Sequence, residues 1–388
     1  MQAFYDGFKA DFERNNPDIV VEYRWVAGGL AGLNEAVAIG VASGAGPDIS
    51  YVSGNTIMRL THGGLHAGLA EPIDDFLAQS GLDRRILPPL LEMVRYDNKT
   101  FGVPFIMWPI MEVYNLDLFE SAGVAEPTTW AEQLDATRRL TRVNAAGAVE
   151  QWGYQGPSMT AVYAFYLLGR TMEQLGRRLI EPEADRGSLT NAEAQQAMYY
   201  LHDLYRLGMP DGRAGIRFPQ ILENKVAAFH GSLDSNLMNS LSTTNLRLEF
   251  RRFVKPAGGT DIVQCNVGTL YLLSTSKNKP EALRVLEAFM QPNNLKGYYM
   301  AAPHWQPVLQ VHFTDADILS RPYTKGAMRV LTEPITTYGP KHPLLTEMYP
   351  SAGAVLAPAI LGQTPIESAL EEAERLMNAA IAEHRRRD

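Results

Sequence analysis

The sequence has few residues that could form disulfides, thiolate metal sites or a nucleic-acid interface. Cys265 is the only cysteine in 388 residues, so neither an intramolecular disulfide nor a paired-cysteine zinc or redox site can form. The formal net charge of −8 argues against general binding to a phosphate backbone. The one dense basic run, Arg385-Arg386-Arg387, is interpreted as the cationic end of a terminal helix.

Long apolar runs and the common catalytic motifs are also missing. No apolar stretch approaches the roughly 20 residues of a membrane helix, and the N-terminus has no charged start followed by an apolar run, so no signal peptide is predicted. There is no Gly-x-Ser-x-Gly elbow, phosphate loop or His-Glu-x-x-His pair. The carboxylates Glu181, Glu183 and Asp185 lie in a polar stretch that is interpreted as a solvated loop rather than a glycosidase pair. We therefore expect a protein that is not an enzyme and that needs neither a cofactor nor a metal.

The sequence does have the size and composition of a soluble protein with two domains. Its 388 residues exceed the length at which a single core usually stops growing. Hydrophobic residues make up 46% and charged residues 20%, which are ordinary values for a globular protein.

Helical and strand periods alternate in the first part of the chain. Phe4, Phe8 and Phe12 recur at helical spacing. The elements predicted after this helix are a strand Ile19–Val26, a helix Gly29–Ser43, a strand Asp48–Val52 and a helix Asn55–Thr61. This rhythm is typical of a parallel sheet with helices on its faces. The loops after Trp25 and Val52 would then lie at the carboxyl ends of strands, where open α/β sheets bind ligands.

More elements follow the first hundred residues. Gly102-Val103-Pro104-Phe105 predicts a strand stopped by its proline, and Val113–Asn115 predicts a second strand leading into a helix near Leu116. Thr129 and Glu132 have the spacing of a capping box at the start of a long helix. The other predicted elements are the helices Thr160–Leu175, Asn191–Leu207, Pro280–Met290 and Pro365–His384 and the strands Trp152–Tyr154, Val226–Phe229, Leu246–Val254 and Val267–Leu273.

A series of short runs spans nearly the whole chain. They are Phe12–Val21, Ala42-Ser43-Gly44, Pro47-Asp48-Ile49, Gly102–Phe105, Tyr114–Phe119, Ala122–Val124, Pro127–Glu132, Lys225–Ala228 and Ser274–Ala282. No single run is specific, but in this order they resemble the family 1 extracellular solute-binding proteins of ABC importers, a family similar to maltose- and trehalose-binding proteins.

The resemblance implies an α/β, two-lobe periplasmic-binding-protein-like fold of type II. Each lobe is expected to be a mostly parallel sheet flanked by helices, with the ligand cleft between the lobes. Residues 1–108 plus 259–309 would form the N-terminal lobe, and residues 109–258 plus 310–388 the C-terminal lobe. The chain would cross between them near Trp108–Met111, Pro256–Gly259 and Gln310.

The sequence departs from the family pattern in three places. Met1 falls at the first helix, so the family's first strand, its ligand loop and an export signal are expected to be missing through truncation or a late start codon. Trp108 stands where many sugar binders have an aspartate. Gly231-Ser232-Leu233 lacks the indole that often follows the Lys-Val-Ala strand. The last two departures leave the identity of the sugar open.

Sugar recognition needs aromatic faces for C–H patches and side chains that exchange hydrogen bonds with hydroxyls. Residues of these kinds, beside predicted strand ends and crossings, form the predicted ligand site: Trp108, Trp305, Asn55, Ser53, Asp234, His230, Gly268, Thr269, Trp152 and Trp25. Several also have a purely structural interpretation. Trp152 and Trp25 suit core strand positions, Asn55 suits an N-cap, and His230 with Asp234 could be a surface histidine beside a capping aspartate. Trp130 and Tyr271 are expected to be structural.

The predicted function is capture of a small sugar, oligosaccharide or polyol by hinge closure, followed by delivery to the membrane subunits of an ABC importer. A monomer outside the cytoplasm is expected, with no nucleic-acid partner. Two alternatives stay open: a carbohydrate-active enzyme on an α/β scaffold, and a binder of a non-sugar solute in the same fold. A ferric-ion site at Tyr199-Tyr200 or Tyr298-Tyr299 is disfavoured, because helical spacing turns one ring of each pair into the core.

Overall fold

The computed structural model describes residues 1–53, 68–181, 185–232, 244–321, 324–332, 336–338, 342 and 344–386. The chain divides into two compact units: unit 1 holds residues 1–108 and 265–325, and unit 2 holds residues 109–264 and 326–388. These bounds differ from the predicted lobes in two places: residues 259–264 belong to unit 2, and residues 310–325 belong to unit 1. The stretch from Gln310 belongs to unit 1 because the Gln310 side chain donates to the carbonyl of Arg84 and the His312 ring contacts the carbonyl of Pro292 at 3.0 Å.

Helices account for most of the regular structure. They are α1 Gln2–Asn15, α2 Gly29–Ala42, α3 Asp74–Ser80, α4 Leu82–Arg85, α5 Pro88–Glu92, α6 Leu116–Ser121, α7 Trp130–Leu140, α8 Ala161–Gln174, α9 Ala192–Gly208, α10 Phe218–Leu222, α11 Lys279–Phe289 and α12 Pro292–Ala301. The C-terminal part adds a 3-10 helix Gln310–Thr314 and the helices α13 Ala316–Leu319, α14 Thr324–Thr332, α15 Leu345–Ile360 and α16 Ile366–His384.

The strands are β1 Ile49–Ser53, β2 Arg95–Tyr96, β3 Lys99–Thr100, β4 Val103–Asn115, β5 Arg142–Val143, β6 Val149–Gln151, β7 Ile180–Glu181, β8 Arg186–Gly187, β9 Ala228–Ser232, β10 Leu248–Arg251, β11 Ile262–Leu272 and β12 Thr336–Tyr338. Of the three divisions between the units, those at residues 108/109 and 264/265 fall inside β4 and β11, and the one at 325/326 falls inside α14.

Local sequence signals explain several helix ends. In α1, Phe8 and Phe12 form the buried face, as their spacing predicts. The capping box of α7 is confirmed: the Thr129 side chain accepts a hydrogen bond from the Glu132 amide, and the Glu132 carboxylate accepts one from the Thr129 amide. The Trp130 ring stacks on Tyr200 with centroids 4.3 Å apart, which confirms its structural role.

The predicted stop at Pro104 is wrong, because Val103–Asn115 is a single strand of 13 residues. Pro109 is also tolerated within it. The ladder between β4 and β9 starts at Ile110, and Met107 forms an isolated bridge with Gln306. Each proline lacks an amide hydrogen, but Pro109 falls between these pairings and therefore costs the strand none of their hydrogen bonds.

The predicted α/β class is confirmed, and the strand directions are mixed rather than mostly parallel. In unit 1, β1 pairs antiparallel with β11, from Ile49 opposite Leu272 to Ser53 opposite Gly268. In unit 2, β4 pairs antiparallel with both β9 and β10, whereas β11 pairs in parallel with β12. The alternation of helices and strands predicts the order of elements along the chain but not which strands pair. The partner of β1 is β11, from a distant part of the sequence.

The predicted strand Ile19–Val26 is not a strand in the structure. Its burial still alternates, since Ile19 and Val21 are buried while Val20 is 74% exposed. Among the residues that the structure describes, no segment pairs with this stretch in a ladder. The side-chain pattern therefore persists without the backbone hydrogen bonds that define a strand.

The predicted helix Asn55–Thr61 lies outside the described residues. Within the described ranges, no helix combines the length and the apolar character needed to cross a membrane.

Candidate ligand-binding site

Two tryptophans of unit 1 meet beside a short backbone pairing. Met107 and Gln306 form an antiparallel bridge in which each amide donates to the other residue's carbonyl oxygen at 3.0 Å. Positions next to such a bridge on the two segments are also opposite one another and share a face. Trp108 and Trp305 occupy these positions, and their ring centroids lie 5.2 Å apart with an interplanar angle of 49°.

Both indoles of this pair are half-buried, so each is held by packing and keeps part of its surface in solvent. The His304 ring lies beside them, with its centroid 4.4 Å from that of Trp305. Aromatic faces accept the C–H patches of sugars, while indole and imidazole nitrogens can hydrogen-bond to hydroxyls. The structure thus brings Trp108 and Trp305 together, and it adds His304, which is not among the predicted residues.

Three other predicted residues meet in the ladder between β1 and β11. Ser53 lies opposite Gly268, and Val52 lies opposite Thr269. A Cβ at Gly268 would lie 2.4 Å from Cγ1 of Ile106, so packing within unit 1 already requires a glycine here. The Thr269 side chain is fully buried and has no hydrogen-bond partner for its hydroxyl among the described residues. Ser53, at the end of β1, is the most accessible of the three.

Trp25 has the opposite environment from that of a core strand residue. It is 59% exposed, so the core interpretation is wrong. Its ring contacts Tyr5 at a centroid distance of 5.0 Å and Tyr23 at 6.1 Å. Tyr23 and Trp25 belong to the stretch after α1 that forms no ladder with the described residues, whereas Tyr5 belongs to α1, and the missing ladder explains why the indole is not covered.

Trp152 belongs to unit 2 and is buried, with 7% of its surface exposed. Its amide donates to the carbonyl of Lys225, and its own carbonyl accepts from the amide of Ala227. The Arg217 guanidinium lies over its ring at 5.2 Å. The predicted short strand at Trp152 is reduced to isolated bridges, and the packing around the ring agrees with the core interpretation.

His230 is not a surface residue, which corrects one interpretation drawn from the sequence. Strand β9 continues through Gly231, and His230 lies opposite Glu112 of β4 with only 4% of its surface exposed. Its Nδ1 has no hydrogen-bond partner in the described part of the chain. Burial, with a further contribution from Arg170, lowers the pKa of His230 well below its usual range, so the imidazole is neutral near pH 7.

Glu112 and Arg170 are buried ionisable residues that no sequence motif singles out. The Glu112 carboxylate accepts hydrogen bonds from the Tyr114 hydroxyl at 2.6 Å and from the Gln133 amide. Burial raises the pKa of Glu112, while these hydrogen bonds and the nearby Arg170 oppose the rise. The only sequence signal is a glutamate within the apolar run of β4, which points to a buried polar group without indicating its partners.

The tyrosine pairs have the packing expected of core residues in three of their four members. Tyr200, Tyr298 and Tyr299 are buried, and Tyr199 is an exposed residue that donates to the Glu367 carboxylate. Neither pair presents two accessible hydroxyls. The predicted site residues Asn55 and Asp234 lie outside the described residues.

Comparisons with known proteins agree with this fold. The model of the bacterial extracellular solute-binding protein family matches residues 1–293. A binding protein of Brucella abortus strain 2308 is 23% identical over 300 residues, which cover 74% of this chain and 68% of the relative.

Two solved structures show the same fold at low sequence identity. The sugar-binding protein MalE of Xanthomonas citri has a TM-score of 0.80 at 16% identity, covering 98% of this chain and 95% of its own. The cyclic α-maltosyl-1,6-maltose binding protein of Arthrobacter globiformis has a TM-score of 0.79 at 16% identity, covering 98% and 96%. Because the family model covers most of the sequence, the chain belongs to the bacterial extracellular solute-binding proteins.

Proposed function

We propose that this chain is the solute-capturing component of an ABC importer and that its solute is a small sugar, an oligosaccharide or a polyol. Family membership supports the solute-binding role. The structural relatives from Xanthomonas citri and Arthrobacter globiformis are a sugar-binding and a cyclic-maltooligosaccharide-binding protein, which supports the ligand class. The protein would act outside the cytoplasm, as a monomer without catalytic activity, and would pass its ligand to the importer's membrane subunits. Capture by hinge closure stays a prediction.

The observation that carries this proposal is the half-buried pair of Trp108 and Trp305 beside His304. Two indoles 5.2 Å apart at an angle of 49° offer a bent aromatic surface rather than a single flat face. Such a surface suits the C–H patches of a pyranose or a polyol chain, and the imidazole adds a hydrogen-bonding group. Trp108 would thus take part in binding although many sugar binders have an aspartate at this position.

Titration calorimetry and thermal unfolding with maltose, maltotetraose and ribitol test the proposal. A ligand at a hundred times its Kd should stabilise the folded protein by about 2.7 kcal/mol, without forming any product. Trp108→Ala should weaken binding by about 2 kcal/mol or more, as expected for a central aromatic contact.

Trp25→Ala is the comparison variant, because Trp25 was also predicted in the ligand site but is an exposed indole of the same unit whose ring contacts are Tyr5 and Tyr23. It should leave affinity unchanged. Loss of binding in Trp25→Ala but not in Trp108→Ala would place the site elsewhere in unit 1. If none of a broad panel of sugars and polyols stabilises the protein, or if a sugar is turned over, the proposed function is wrong.

A further inference from the structure

We infer that Arg321 is a positioning residue that holds Trp305 against Trp108, an inference that rests on the proposed role of this pair in ligand binding. Arg321 lies in unit 1 and is buried, with 6% of its surface exposed. Its guanidinium donates to the loop that precedes Gln306 rather than to a carboxylate. Its acceptors are the carbonyl oxygens of Ile318 at 3.0 Å, Tyr299 at 3.1 Å, Trp305 at 3.2 Å and Pro303 at 3.4 Å, with the Gln306 side-chain oxygen at 3.5 Å.

Backbone carbonyl oxygens, rather than a carboxylate, stabilise the positive charge of Arg321. In the described part of the chain, no carboxylate lies within ion-pair distance of Arg321. Burial lowers the pKa of Arg321 to about 10, which leaves the guanidinium charged at neutral pH. A buried cation is stable only when its N–H groups are satisfied, and here backbone carbonyls satisfy them. The buried charge of Arg321 is therefore stabilised by residues 303–306, and the conformation of those residues depends on Arg321.

The same loop is anchored on its other side by backbone and hydroxyl contacts. Gln306 is paired with Met107 through the backbone bridge. The Tyr299 hydroxyl donates to the carbonyl of Phe105 at 2.7 Å and accepts from the amide of Val308 at 3.2 Å. These bonds fix the loop after Trp305, and Arg321 fixes it at Trp305 and before. Without Arg321, the carbonyl oxygens of Pro303 and Trp305 would lose this donor. The bond from the Trp305 amide to the carbonyl of Ala302 at 3.1 Å would remain, but the Trp305 carbonyl, on the Gln306 side of the residue, would be freed.

Arg321 differs from an arginine that stabilises unit 1 in general. Arg85 is half-buried in the same unit, and its guanidinium donates to one backbone carbonyl, that of Met290, at 3.3 Å. This contact lies outside residues 303–306. Arg85→Met is therefore a matched control for the loss of a guanidinium–carbonyl contact.

The test compares Arg321→Lys, Arg321→Met and Arg85→Met in the full chain. Closely spaced indoles give an exciton couplet in circular dichroism, and Trp108→Phe defines the part of the signal that comes from this pair. We expect both Arg321 variants to lose most of the couplet, because neither methionine nor the single ammonium group of lysine can reproduce the several donors of the guanidinium.

The second measurement is ligand affinity. Where wild type binds maltose, maltotetraose or ribitol, the affinity of both Arg321 variants should be lower by about tenfold or more, since small misplacements of a binding group are costly. Arg85→Met should change neither signal.

The couplet needs no ligand, so the two proposals fail separately. Wild-type protein that binds no sugar or polyol would overturn the proposed function, while loss of the couplet would still support the role of Arg321. If the methionine variant does not fold, the lysine variant decides. An unchanged couplet and unchanged affinity in a folded Arg321 variant would overturn the inference. Failure of both variants to fold would also overturn it, because Arg321 would then be a general structural residue.

Discussion

The guanidinium carbon of Arg170 lies 3.5 Å from the centroid of the Phe253 ring, inside unit 2. The His230 ring lies 5.0 Å from the same phenylalanine, so one aromatic ring contacts both a cation and an imidazole. Nε and Nη1 of Arg170 have no hydrogen-bond acceptor among the described residues. A cation–π contact and the nearby Glu112 carboxylate are therefore the interactions that compensate this buried charge.

The first prediction concerns the two buried ionisable residues Arg170 and Glu112. Arg170→Met should destabilise unit 2 by about 2 kcal/mol, because it removes the cation–π contact with Phe253 and the nearby cation that opposes the raised pKa of Glu112. Adding Glu112→Gln should recover part of the loss, since the amide is neutral and can still accept from Tyr114. Urea unfolding of the two single variants and the double variant measures the coupling. Strictly additive losses would mean that the two charges do not stabilise one another.

The second prediction concerns pH and Glu173 in α8. Burial raises the pKa of Glu173 from 4.5 to about 7, and Arg178 opposes the rise. Between these values the folded protein binds more protons at Glu173 than the unfolded chain, so this residue's contribution to stability falls as pH rises through the window. The contribution of Glu173 to stability is fully present below pH 4.5 and is completely lost above about pH 7.

Glu173→Gln should remove this dependence. The stability of the variant relative to wild type should rise across this pH window by about 2 kcal/mol and then stay constant, because solvent screening at a half-buried carboxyl reduces the full effect. Glu193→Gln is a control of opposite sign: the pKa of Glu193 is lowered, first by its backbone hydrogen bond, so its contribution is lost as pH falls. Chemical unfolding from above pH 7 to below pH 4.5, where Glu193 titrates, measures both, and a flat difference for Glu173→Gln would contradict the prediction.

The third prediction compares two glycines of unit 1. Gly268→Ala should destabilise the fold by about 1–3 kcal/mol, because its Cβ would overlap Ile106 and the Tyr51 ring. Gly7 is exposed in α1, and a Cβ added there would have no heavy atom within 4 Å, so Gly7→Ala should be stabilising by about 0.5–1 kcal/mol. Thermal unfolding measures both changes. Ile106→Ala removes both Cγ1 and Cδ1, which lie 2.4 and 2.6 Å from the added Cβ, so Gly268→Ala should cost less in that background, and an equal cost would put its cause elsewhere.

The fourth prediction concerns the single thiol. Cys265 is buried with 1% of its surface exposed, and burial raises its pKa to about 12. Because the thiolate is the reactive form, the folded protein should react very slowly with a disulfide reagent at mildly alkaline pH, whereas the urea-unfolded chain should react at the ordinary rate of a free cysteine. Rapid stoichiometric labelling of the native protein would show that β11 opens readily around Cys265.

Local signals allow much of the helical structure to be predicted from the sequence. The spacing of Phe8 and Phe12 and the capping box at Thr129 act within a few residues, and both helices form as predicted. The α/β class follows from the same signals. Strand direction does not, because the partner of β1 lies more than two hundred residues further along the chain.

The site is predictable only in part for the same reason. Tryptophans beside an expected crossing identify Trp108 and Trp305, but their contact depends on the pairing of Met107 with Gln306, which no local pattern specifies. The role of Arg321 cannot be predicted from the sequence, because its acceptors are backbone carbonyls, which every residue type provides. The surface position expected for His230 is wrong because the length of β9 is set by its ladder with β4.

The Tyr299 hydroxyl joins backbone segments that are far apart in the order of synthesis, as its bond to Phe105 links residues 194 positions apart. A ribosome that has made only the residues up to Gln264 has produced β1 without its partner in β11, and it has begun unit 2 before unit 1 can close. The nascent chain therefore carries an unpaired strand edge while the intervening residues are translated. Such an edge can pair with other chains, so we expect a requirement for chaperone protection during that interval.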